Sequence, residues 1–367
     1  MGKKRNVGID LLRIVCMLMV VTQHVIGHGG ATRAAVMFSA RYEIAWLIEI
    51  LCLCAVDCYA IITGYVMSES KVKAFNLVNL WLQVAFYSVV ITVGMMIFVP
   101  GTVGRGTLFY SLFPVTFNSW WYFSAYFGMF LFLPFINRWL ENISRRELKK
   151  FIVVDVVLIM VFPVVMQRDP FKFGYGYSMI WLLLMYILGA YLKKFVDLEK
   201  VSKMKCLVVY FACNVFLWGN KFVVDYSISK LVLGLGEHGS AFLTYNSIFV
   251  VMAAVSLFMF FAKLDIRSNK LKSIIAILSS VSFGVYLIHE HPLISSKFIT
   301  DISVPFATSS TPVFTLKIIG TVLFIYIVCS FIDYLRLLLF KALKVKNLSI
   351  KIGNSIEGSI DRFIDDY

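Results

Sequence analysis

The chain has 367 residues, of which 60% are hydrophobic, 16% aromatic and only 15% charged, with a mean hydropathy of +0.82. A water-soluble domain averages about 45–50% apolar and about 25% charged residues, so this chain lacks the polar surface to cover a core in water. The net charge of +14 does not point to nucleic acid, because the 35 basic residues lie in small groups between apolar runs; and with six cysteines inside such runs and Cys206 opening another, a disulfide-stapled secreted scaffold is excluded.

In chain order, Lys3, Lys4 and Arg5 precede an apolar stretch that carries Arg13 and His24 and has no small-residue cleavage site. It reads as a retained membrane helix rather than a signal peptide. A crossing helix needs about 20 mostly apolar residues. On that rule ten segments qualify, at 7–27, 44–66, 78–99, 120–137, 150–166, 177–195, 204–220, 242–262, 273–294 and 313–338. Strands of alternating polarity are not the pattern, so the predicted fold is all-α: a polytopic integral membrane protein of about ten transmembrane helices. The Gly-rich connection 219–241 is the longest and is expected to hold at most a short element. Of the 35 basic residues, 25 fall at the N-terminus, in the even-numbered connections with the segment ends that flank them, and at the C-terminal end from Arg336, and 8 in the odd-numbered connections. That bias predicts both termini to be cytoplasmic. Residues 1–340 then form the membrane domain. From Lys341, Ile352, Ile356, Ile360, Phe363 and Ile364 recur at helical spacing, so 341–367 is expected to be an amphipathic cytoplasmic tail.

Ionisable groups within a bilayer are costly and mark candidate sites. Arg13 and His24 are 11 residues apart, which brings them within about 20° of one helix face and separates them by about 16 Å along the axis. Asp10 can pair with Arg13 on the helix surface. Each has a bland account as well, snorkelling for Arg13 and an interhelical bond for His24. In the second segment Glu49 and Asp57 are both acids able to orient His24 as a base, Asp57 being the deeper. Cys52 and Cys54 face different sides of that helix, so no metal is expected. Near the end of the ninth segment come Tyr286, His289 and Glu290, at about the depth of His24. His289 can serve as a second acid or base, as a donor to an oxyanion, or in packing alone. Trp121 and Tyr122, beside Trp120, form an interfacial aromatic belt or a platform for a sugar ring.

Four motifs in order resemble the acyltransferase 3 family of multi-spanning bacterial membrane acyltransferases. IDLLRIVCMLMVVTQH (9–24) resembles its first helix, with an Asp, an Arg three residues on and a His after ten more. VDCYAIITGYVMS (56–68) resembles its acid, aromatic run and Ser-Gly-Phe, here Thr63, Gly64 and Tyr65. WYFSAYFGMFLFLPFIN (121–137) resembles its Trp-Tyr, Pro and Asn pattern, and SFGVYLIHEHPLI (282–294) its Tyr-Leu-Ile-His segment with Glu290 and His291 added before the proline.

The resemblance implies transfer of an acyl group, commonly acetyl, from cytoplasmic acyl-CoA to a hydroxyl of an envelope carbohydrate or lipid-linked glycan at the bacterial cytoplasmic membrane. Arg13, with Asp10 beside it, is suited to hold CoA phosphates. His24 is suited to act as general base, supported by Asp57 or by Glu49. His289 or Tyr286 is placed to stabilise the oxyanion or hold the acceptor, for which Trp121 and Tyr122 are further candidates. Direct transfer and a route through an acyl-histidine both fit. The rival function is a transporter or flippase of a lipid-linked sugar that moves its substrate unmodified.

Overall fold

A computed structural model describes residues 5–166, 168–231 and 242–365, and among them there are helices and turns but no strand. Twelve helices organise the chain: α1 Val7–Gln23, α2 Ala40–Cys52, α3 Ala55–Met67, α4 Ala74–Phe98, α5 Trp121–Asn142, α6 Arg145–Asp155, α7 Met179–Phe195, α8 Lys203–Leu231, α9 Ile248–Ala262, α10 Asn269–His289, α11 Thr311–Ala342 and α12 Val345–Asp365. Every one of the ten predicted segments falls on helix. Six stretches among the described residues are long and apolar enough to cross a membrane: Val7–Ala34, Ala40–Met67, Ala74–Phe98, Lys203–Ser227, Asn269–His289 and Thr311–Ala342. The other four predicted segments lie on shorter or more polar helices. At 1.5 Å per residue, the 15 residues of α9 extend only about 23 Å, short of a core of roughly 30 Å.

Several boundaries differ from those predicted, each for a local reason. The 44–66 segment is two helices joined by a turn at Leu53 and Cys54. The 150–166 segment begins earlier, where Ser144 and Glu147 close a reciprocal capping box, and continues past α6 through a π-helical stretch, Val156–Val161. The 204–220 segment runs on to Leu231, so the first half of the 219–241 connection is helix, while 232–241 lie outside the described residues. The predicted tail is the separate helix α12, whose Gly353 lies against Phe75 at the start of α4.

The bundle is organised around α1, which packs on α3, α9, α10 and α11. Asn6 anchors its start: the side-chain oxygen accepts from Ile9 N, and its Nδ2 donates to Ala262 O at the end of α9 (2.9 Å). The tightest helix pair is α3 against α7. A Cβ added to Gly64 meets Tyr186 O at 1.9 Å and one added to Gly189 meets Ile61 O at 2.2 Å, so the backbones touch where neither residue has a side chain. That contact holds α3 as one rigid wall of the site. Elsewhere α11 turns Leu316, Phe324, Ile327 and Phe331 outward, each more than 60% exposed, an apolar face that only lipid solvates well.

Candidate active site

The sequence stripe on α1 is one wall of a cavity. Arg13, Met17, Val20 and His24, spaced by four, three and four residues, line a single space of about 410 Å³ that also touches Arg5. Val56, Tyr59 and Thr63 of α3 form a second wall, Trp121, Tyr122 and Tyr126 of α5 a third, and Ser282 and Tyr286 of α10 a fourth. At one end of this space, the buried carboxylate of Asp10 holds both cations: Arg13 Nη1 donates to Oδ1 at 2.8 Å and Arg5 Nε donates to Oδ2. Tyr59 OH donates to the backbone oxygen of Arg13 at 2.6 Å and so ties α3 to α1 at this level.

At the other end, α1 passes into a π-helical turn, His24–His28. Such one-turn expansions cost hydrogen-bond geometry and recur at functional sites. Here the Gly29 N–H reaches back to His24 O (2.8 Å), and the rings of His24 and His28 lie parallel with centroids 4.9 Å apart. Across from them α10 ends at His289, with Glu290 as its C-cap. His24 Nδ1 lies 2.8 Å from His289 Nε2 and 3.0 Å from Glu290 Oε2.

These distances dictate the proton positions. His289 Nδ1 is 2.6 Å from Val285 O, and a carbonyl only accepts, so the proton of neutral His289 sits on Nδ1 and its Nε2 is an acceptor. The partner of that acceptor, His24 Nδ1, must then be the donor, with the Glu290 carboxylate as a second acceptor beside it. Neutral His24 is thereby left with its lone pair on Nε2. An imidazole held in this tautomer, with a carboxylate at its protonated nitrogen, is the arrangement of a general base.

Asp57 and Glu49 lie elsewhere. Asp57 is fully buried and accepts from Trp181 Nε1 on α7 at 2.8 Å, and its neighbour Val56 is the residue that faces the cavity. Glu49 lies beside Gly27, with its Oε2 buried and without a hydrogen-bond partner among the described residues. The carboxylate at His24 is Glu290 instead. The sequence shows it as one of two residues added between His289 and Pro292, but a residue at a helix C-cap leaves the helical face, so periodicity does not reveal where it points. Tyr286 and Tyr122 line the cavity and meet edge to face, centroids 6.3 Å apart. Trp121 also lines it and packs on Tyr177 and Tyr245 at 4.6 and 6.0 Å. Arg5, counted in the sequence only as a topology signal, and Tyr245 are further cavity residues that no local spacing indicates, while Tyr126 follows Tyr122 by one helical turn and shares its face.

Residues 6–330, nearly the whole chain and all the helices that line this cavity, match the acyltransferase domain profile of the acyltransferase 3 family. The chain belongs to the acyltransferase 3 family. No curated protein and no solved structure gives a significant match. Family membership and the long apolar helices together make this a membrane acyltransferase. The profile spans the acyltransferase 3 motifs of α1, α3, α5 and α10, and so includes both cavity ends, Arg13 and the His24, His289 and Glu290 cluster.

Proposed function

We propose that this protein is a multi-pass O-acyltransferase of the bacterial cytoplasmic membrane, with both termini cytoplasmic. In this reading it moves an acyl group, acetyl in the first instance, from cytoplasmic acyl-CoA to a hydroxyl of an envelope carbohydrate or lipid-linked glycan. The observation that carries the reading is one continuous cavity with a guanidinium pair at one end and an imidazole of set tautomer at the other. Arg13, with Arg5 beside it, offers planar donors to the phosphates of CoA, and Asp10 keeps both side chains in place. The thin pantetheine arm lies along the Met17 and Val20 stripe and brings the thioester to His24.

His24 Nε2 takes the proton of the acceptor hydroxyl as its oxygen attacks the thioester carbonyl. The tetrahedral adduct collapses with loss of the CoA thiolate, and the same nitrogen returns the proton to that sulfur, so bonds and charge balance over the cycle. Glu290 stabilises the imidazolium in between, and His289 holds the ring in register. Tyr286 serves as a donor to the developing oxyanion, and Trp121 and Tyr122 offer flat faces to a sugar ring.

Membranes carrying the wild-type or His24→Ala protein, incubated with labelled acetyl-CoA, test this directly through label appearing in envelope carbohydrate. Incorporation by the wild type alone is expected. Equal incorporation by both removes His24 from the mechanism, and passage of an unmodified lipid-linked sugar across vesicles favours a transporter.

A further inference from the structure

His28 plays no part in the chemistry above, yet it lies against the two groups that do. Its Nδ1 is 3.8 Å from Glu290 Oε2, and one ligand atom from each of His24, His28 and Glu290 lies within 4.8 Å of the others. Four-coordinate zinc, with ligands at about 2.0–2.2 Å, holds neighbouring ligand atoms roughly 3.4 Å apart, within the span of separations seen here. Two imidazoles and a carboxylate are a donor set that zinc favours. Two further observations point to a cation. Glu290 Oε2 is shut off from solvent, and among the described residues its ion pairs are to the two imidazoles, with no Lys or Arg beside it. The His28 side chain is 52% exposed, which leaves the cluster open to solvent at the end of the bundle away from Arg13 and leaves room for water as the fourth ligand.

We propose that His24, His28 and Glu290 form a binding site for a divalent ion of the zinc class, and that its occupation switches the base off. A neutral imidazole carries one proton. An ion on His24 Nδ1 displaces that proton to Nε2, which then has no lone pair to offer a hydroxyl. The ion also takes the carboxylate that stabilises the imidazolium. The site stands independently of the acyl-transfer reading, whereas the switch rests on it.

The test uses the full chain purified in detergent and zinc chloride as the probe. Calorimetric titration of the wild type is expected to show one saturable site per chain, and cobalt in its place to give the visible absorption of a low-coordinate nitrogen and oxygen site. His28→Gln is expected to weaken zinc binding at least tenfold; its melting temperature without metal, read alongside, shows that it is folded. Acetyl incorporation by wild-type membranes should fall on adding zinc, and His28→Gln should need at least tenfold more for the same loss. No saturable binding, or equal affinity in the variant, overturns the site. Full activity at saturating zinc overturns the switch. Absence of acyl transfer in every form sinks the acyl-transfer reading and the switch with it, and the titration still decides the site.

Discussion

The polar cluster around Asp333 and the one around His24 differ in what they leave unspent. In one, Asp333 on α11 accepts from Arg336 Nε and Nη2 at 2.9 and 2.7 Å, from Tyr87 OH at 2.7 Å and from Gln83 Nε2 at 3.3 Å. The carboxylate is fully enclosed; a Cβ on Gly284 of α10 would lie 1.9 Å from its Cγ, so the glycine makes its room. Both of its oxygens are used, none of the four residues lines the cavity, and the cluster joins α4 to α11. In the other, His24, His289 and Glu290 are matched in their inner bonds, but among the described residues His24 Nε2 on the cavity wall is left without a partner. A saturated cluster can hold a structure together, while a cluster with a lone pair to spare can also do chemistry.

That contrast breaks if the wrong cluster controls activity. The largest effect is expected for His24→Ala, a loss of about 10²–10⁴ in acyl-transfer rate with little change in melting temperature, measured on labelled acetyl-CoA. Asp333→Ala should do the reverse, leaving Arg336 buried without its partner and lowering stability by about 3–5 kcal/mol in detergent denaturation. Active, folded protein from that variant together with an unfolded His24→Ala would invert the assignment. Glu290→Gln sharpens the comparison. It keeps a hydrogen-bond acceptor but loses the charge, worth about 1.5–3 kcal/mol on the imidazolium, so activity should fall about tenfold to a hundredfold while the fold stays intact. The smallest effect is expected for Asp57→Asn. Its amide oxygen still accepts from Trp181, so transfer rates within about threefold of wild type are predicted; a loss matching that of Glu290→Gln would return Asp57 to the base.

How much of this was open to sequence reasoning follows from the range over which each feature is set. The apolar runs mark where helices lie because burial in lipid is a property of about 20 consecutive residues. The alignment of Arg13 with His24 follows from helix geometry alone, and the structure has both on one cavity wall. The pairing of His24 was harder to see. Asp57 has the depth of a partner, but the rotation of α3, set by the close approach of Gly64 on α3 and Gly189 on α7, directs it to Trp181. Glu290 reaches His24 only because α10 stops at His289 and its cap residue leaves the helical path.

By itself, then, the sequence determined an all-helical membrane chain, its family motifs and a polar stripe on the first helix, since hydropathy and the 3.6-residue period are local quantities. Only the tertiary structure decided which carboxylate faces His24, which nitrogen of that ring is free, and that His28 completes a cluster of metal-ligating atoms. Those depend on the rotation and ends of helices more than 250 residues apart in the chain, and no spacing along the chain encodes them.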